Sequence, residues 1–148
     1  MLTSKGELLN ELYQARFDRL KEIATSYQMP KNGSVESLRA KLIAKLVLDH
    51  WNNDTCVGKY LKTMYENRVD RQYGEYSKFR GNHNAAQTYG GQFLWDAVGL
   101  EDRPILMMDG AWGQQVVIDF DNNRIITAHS TDRHYDYHKL IYVPLGYK

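Results

Sequence analysis

The stretch Met107-Met108-Asp109-Gly110-Ala111-Trp112-Gly113-Gln114-Gln115-Val116-Val117-Ile118-Asp119-Phe120 decides the fold. Two strand-length apolar runs flank a turn bracketed by Gly110 and Gly113, which predicts two neighbouring strands. The first runs from Ile105 to Met108 after Arg103-Pro104, the second from Gln114 to Phe120. Asp121-Asn122-Asn123 are residues that tolerate the left-handed region, so Arg124 to His129 is expected to return as a hairpin partner. Upstream, Tyr89 to Val98 reads as one more strand. Downstream, Thr131 or Asp132 caps a last helix, His134 to about Tyr142.

Before Tyr89 the apolar spacing is helical. Ser4 and Glu7 have capping-box spacing, and Leu9, Leu12, Leu20, Ile23, Ala24 and Tyr27 recur on one stripe. One helix is expected over Lys5–Tyr27. Pro30 and Gly33 stop it, and Ser34 caps a second, Val35 to about Trp51. That helix has a Val35, Leu38, Leu42, Leu46 and Trp51 stripe, with Arg39, Lys41 and Lys45 opposite. Asp54 or Thr55 caps a third helix reaching about Val69. Arg71 to Gln87 reads as a long irregular connection. Helices before an antiparallel sheet, with a helix after it, make an α+β fold. The boundary falls at 52/53, a helical module over 1–52 and an α+β domain over 53–148.

The 148 residues are 43% hydrophobic and 25% charged, with a net charge of +1, so a polyanion could be met only by a local patch. Cys56 is the one cysteine, which excludes an intrachain disulfide and fits a reducing compartment. Met1 to Leu12 holds no signal-peptide run, and no stretch approaches the roughly 20 apolar residues of a membrane span. The cytoplasm and no membrane partner are expected. Eleven tyrosines and three tryptophans are enough to fill a small core.

At Tyr89-Gly90-Gly91-Gln92-Phe93-Leu94-Trp95, then Gly110-Ala111-Trp112-Gly113-Gln114 and Val117-Ile118-Asp119, the chain resembles the C-terminal segment of the serine β-lactamase-related, penicillin-binding-protein-like hydrolases. The resemblance spans residues 59–145. It implies a pocket around Tyr65, Asp109, Trp112, Gly113 and Gln114. Tyr65-Glu66-Asn67 has the form of the family's Tyr-x-Asn motif. The family's nucleophile lies in Ser-x-x-Lys. Here Ser4, Ser26, Ser34, Ser37, Ser77 and Ser130 are followed three residues on by Glu7, Met29, Ser37, Ala40, Arg80 and Arg133. Asp109-Gly110-Ala111 also lacks the basic residue of the third motif. The sheet is therefore expected to be a scaffold that does not hydrolyse by the family mechanism.

Leu20, Ile23, Met29-Pro30, Gly33, Leu38 and Lys41-Leu42 resemble a SAP-like helix–extended–helix unit over residues 20–46. That resemblance implies nucleic-acid binding, with Lys31, Arg39, Lys41 and Lys45 facing the phosphates of DNA or RNA. Residues 1–50 hold eight Lys/Arg against six Asp/Glu, a charge balance that an ordinary solvated face also shows.

Other groupings are weaker. His134 and His138, with His129 near, have metal-ligand spacing without a completing carboxylate, so no metal or cofactor is expected. Tyr73, Tyr76 and Phe79 alternate with Arg71, Lys78 and Arg80, a pattern that suits either stacked bases or a loop packed on the sheet. The expected function is non-enzymatic, a SAP-like nucleic-acid-binding module on a hydrolase-derived scaffold, able to self-associate through an exposed sheet edge. The alternatives are an enzyme in which Tyr65, Asp109, His129 or Cys56 does new chemistry, and a protein-interaction module. Without Ser-x-x-Lys, incubation with a chromogenic β-lactam or short-chain ester should give no turnover. A serine-directed acylating probe should leave the mass unchanged; stoichiometric labelling would reverse this expectation.

Overall fold

The computed structural model describes residues 5–14, 16–29, 31, 34–70, 86–97, 99–110, 114–129, 136 and 138–147. Four helices come first: α1 (Lys5–Gln14), α2 (Phe17–Ser26), α3 (Val35–Asn52) and α4 (Cys56–Glu66). Six strands follow: β1 (Val69–Asp70), β2 (Ala86–Gly90), β3 (Phe93–Ala97), β4 (Ile105–Asp109), β5 (Gln115–Asp119) and β6 (Arg124–Ala128). They form one sheet in chain order, antiparallel throughout. A π-helical turn, His138–Tyr142, and the short α5 (Val143–Leu145) close the chain. This is the expected α+β architecture, with strands around Phe93, Ile105, Val117 and Ile126.

Residues alternate across the sheet with the two-residue period, except that β3 changes phase between Trp95 and Ala97. Trp95, Leu106, Ile118 and Phe120 face α3 and α4, where they meet Ala44, Leu48 and Leu61. Ala97, Ile105, Met107 and Val117 face the other way, onto Ile141, Tyr142 and Leu145. A third core lies beyond α3, where Leu12, Leu20, Ile23 and Ala24 pack on Leu38, Leu42 and Leu46. Helix α3 thus serves the cores on both of its sides.

Five boundaries differ from the sequence expectation. The single helix over Lys5–Tyr27 is two, because Arg16 is extended (φ −76°, ψ 167°). The break is stabilised from α3: Arg39 Nε–H donates to the carbonyl of Leu12 at 2.8 Å, one of the end-of-helix acceptors that α1 cannot satisfy itself. Helix α4 stops at Glu66, and Val69 joins the sheet as β1. Tyr89 to Val98 is a hairpin instead of one strand. Its turn is Gly91-Gln92, both at positive φ (+62° and +69°), the geometry of a type I′ connection. The expected last helix is a π-turn followed by α5, and its start at His134 lies outside the described residues. Of the connection expected over Arg71–Gln87, residues 71–85 lie outside them too, and Ala86 and Gln87 belong to β2.

Helix α4 crosses the end of α3 at Gly58. A Cβ there would sit 2.0 Å from the His50 carbonyl oxygen, so backbone meets backbone. Thr55 caps α4 by accepting the Gly58 N–H at 3.1 Å, and its hydroxyl also bonds His50 Nδ1 at 2.7 Å. In an open helix Gly→Ala stabilises by about 1 kcal/mol. Here the sign should reverse: Gly58→Ala is expected to cost about 1–3 kcal/mol by urea denaturation, the range for overpacking.

Candidate functional site

The four cations expected to face phosphate have different surroundings. Lys31 stands exposed in the segment between α2 and α3. Lys41 is half-buried on the flank of α3. Lys45 is also half-buried and forms a 2.7 Å ion pair with Asp49, one turn on. Arg39 is held to α1 through Leu12. Lys41 and Lys45 are therefore less open than the helical stripe predicts, because α3 is covered on two sides. Among the described residues, Lys31 and Lys41 have no hydrogen-bond or ion-pair partner, whereas Arg39 and Lys45 have structural ones. Ser34 caps α3 as expected, accepting the Ser37 N–H at 3.1 Å.

The pocket expected from the hydrolase resemblance comes together only in part. Trp112 and Gly113 lie outside the described residues. The backbone of Asp109 pairs with Gln115 at the end of β4. Gly110 N–H donates to the Gln114 carbonyl at 2.8 Å and closes the loop. Gln114 lines a cavity of about 250 Å³ with Ala40, Met108, Gly110, Gln115, Val116 and His129. Tyr65 lies elsewhere, in the aromatic core under α4, 5.2 Å from the Trp95 ring and 6.3 Å from Trp51. The structure does not bring it to Gln114. Among the described residues no three His, Cys, Asp or Glu side chains gather as metal ligands. Cys56 is exposed at the start of α4.

One polar cluster was not anticipated. Arg68, just after α4, grips the buried Asp96 with two N–H groups: Nε bonds Oδ2 and Nη2 bonds Oδ1 at 3.2 Å. Thr88 Oγ1–H donates to Oδ2 at 2.6 Å. The hydrogen bond to Asp96 raises the Arg68 guanidinium above its ordinary pKa, against the opposing effect of burial. The guanidinium also lies 4.0 Å from the Tyr65 ring centre and donates to the Tyr65 carbonyl at 2.6 Å. Asp70, Gln87 and Glu101 complete an open cleft of about 440 Å³ around the pair. Both carboxylate oxygens of Asp96 accept hydrogen bonds, and the group anchors the β2–β3 hairpin to the end of α4. An aspartate inside the apolar run Phe93–Ala97 was the available signal, since a buried charge needs a partner.

Comparison with family models, curated proteins and solved structures finds no match for this chain.

Two ion pairs give a contrast in stability. Removing Arg68 (Arg68→Met) strands the buried Asp96 carboxylate and is expected to cost about 3 kcal/mol or more. Lys62→Met removes an exposed partner 3.3 Å from Asp54 and should cost less than about 1 kcal/mol. Urea midpoints of the two variants check the difference; equal losses would mean that the Asp96 site is hydrated.

Proposed function

We propose that this chain is a non-enzymatic protein that binds the phosphate backbone of DNA or RNA through the α2–α3 hairpin, on a sheet scaffold derived from the serine β-lactamase-related hydrolases. The supporting observation is the position of Lys31 and Lys41. Lys31 precedes an 18-residue helix and Lys41 stands in its second turn, and both are unpaired among the described residues. The first-turn amides of a helix have no acceptor within it and favour an anion. Glu36 stands in the same turn and offsets part of that field, so the two lysines carry most of the attraction. The hairpin core of Leu20, Ile23 and Ala24 on Leu38 and Leu42 holds the unit rigid. Packing of Leu20, Ile23, Leu38 and Leu42 against one another supports the SAP-like reading.

Such a unit offers few side chains for reading bases, so its contacts go mainly to phosphate. No helix among the described residues is long and apolar enough to cross a membrane. With its exposed single thiol at Cys56, the protein suits a reducing, cytoplasmic setting.

Fluorescence anisotropy with labelled duplex and single strands, at two salt concentrations, tests the proposal. Binding should weaken steeply with salt. Lys31→Glu with Lys41→Glu should reduce it and lower the log–log salt slope on duplex by about 0.9 per lost contact. Lys45→Glu alone should act less, since Asp49 already neutralises that lysine. Wild-type protein that binds neither strand form at low salt would end the proposal.

A further inference from the structure

The two edges of the sheet are built differently. At one edge β1 is two residues long, exposed, and carries Asp70. Short length and charge are the usual protection of a sheet edge. At the other edge β6 has five residues, Arg-Ile-Ile-Thr-Ala, with no proline, no charge after Arg124, and an unbroken register against β5. Arg124 itself donates to the Pro144 carbonyl. Among the described residues no strand pairs with the outer side of β6.

Residues 125–128 of β6 are half-buried, with cover on both faces. Ile125 packs into the core under α3, and Ile126 and Ala128 into the core under the C-terminal turn. Among the described residues, the outer in-plane row of β6 backbone N–H and C=O groups has no strand partner. A bare peptide added there would project side chains into two layers with nothing to cover them. A second copy of this chain brings both covering layers with it.

We propose that the outer edge of β6 is a homodimer interface, in which two copies pair antiparallel about a two-fold axis at Ile126 and form one twelve-stranded sheet from two six-stranded ones. In this register Ile126 faces its own twin, Ile125 faces Thr127, and Arg124 faces Ala128. β-Branched residues then meet one another, and no like charges are opposed. A shift of one residue would set the α3 face of one copy against the C-terminal face of the other, so the register is well specified. With a net charge of +1 per copy, long-range repulsion is small.

The test combines mass and cross-linking on the full chain. Sedimentation of the wild type should give twice 17.3 kDa. In a Cys56→Ser background, Ile126→Cys should oxidise to a covalent dimer. Residues facing each other in an antiparallel pair have Cα atoms about 4.5–5.5 Å apart, within disulfide reach. Tyr60→Cys, on the outer face of α4, should stay uncross-linked. If Ile126→Cys fails to fold, chains carrying Ile125→Cys and Thr127→Cys, mixed, should link to each other and not to themselves. A wild type that remains monomeric at about 100 µM overturns the proposal. So does a dimer in which neither the Ile126 twins nor the Ile125–Thr127 pair cross-links.

Discussion

Burial of α3 on two opposite sides is the constraint on which the rest depends. Leu38, Leu42 and Leu46 face α1 and α2, while Ala44 and Leu48 face the sheet. A surface helix needs one apolar stripe; this one carries two, with Arg39, Lys41 and Lys45 in the flanks between them. The N-terminal helices have little core without α3. The sheet has no cover on that face without α3 and α4. The cations on α3 therefore sit in partly covered flanks, which accounts for the structural partners of Arg39 and Lys45.

Two buried carboxylates fix the sheet to its neighbours. Asp96 ties the β2–β3 hairpin to the end of α4 through Arg68. Fully buried Asp119 takes Arg103 Nε–H at 2.9 Å, and Arg103 also donates to the Leu145 carbonyl. Asn122 adds a 2.9 Å bond to Asp119 from the β5–β6 turn. Each clasp joins one layer of the molecule to the next. Breaking either by removing the arginine leaves a buried carboxylate without its charge partner, whereas an apolar replacement of both partners would be mild.

The sequence discloses most of the sheet and less of the sites. Period-two runs at Ile105–Met108 and Gln115–Phe120, and the Asp-Asn-Asn turn, are local signals, and the strands form where they point. The break at Arg16 was hidden because its cause is distant: Arg39 reaches back 27 residues to Leu12. The β2–β3 turn was hidden because Gly91-Gln92 interrupts an aromatic run that scans as one strand. The partners of Asp96 come from α4 and β2, and no local spacing could join them. Serine spacing and leucine spacing, being local, were readable directly.

Asp96 has φ +55° at the next-to-last position of β3. Ahead of it Phe93 and Trp95 belong to the α3 core; after it Ala97 belongs to the opposite one. The strand changes phase at this residue, and one strand supplies both layers. Divergence at this position is thereby restricted. Glycine, asparagine and aspartate accept the left-handed backbone at the smallest cost, and of these only aspartate also answers Arg68 with a charge. Drift to a β-branched residue here would do more than empty a polar cleft. It would place a strained backbone at the point where β3 passes from one layer to the other.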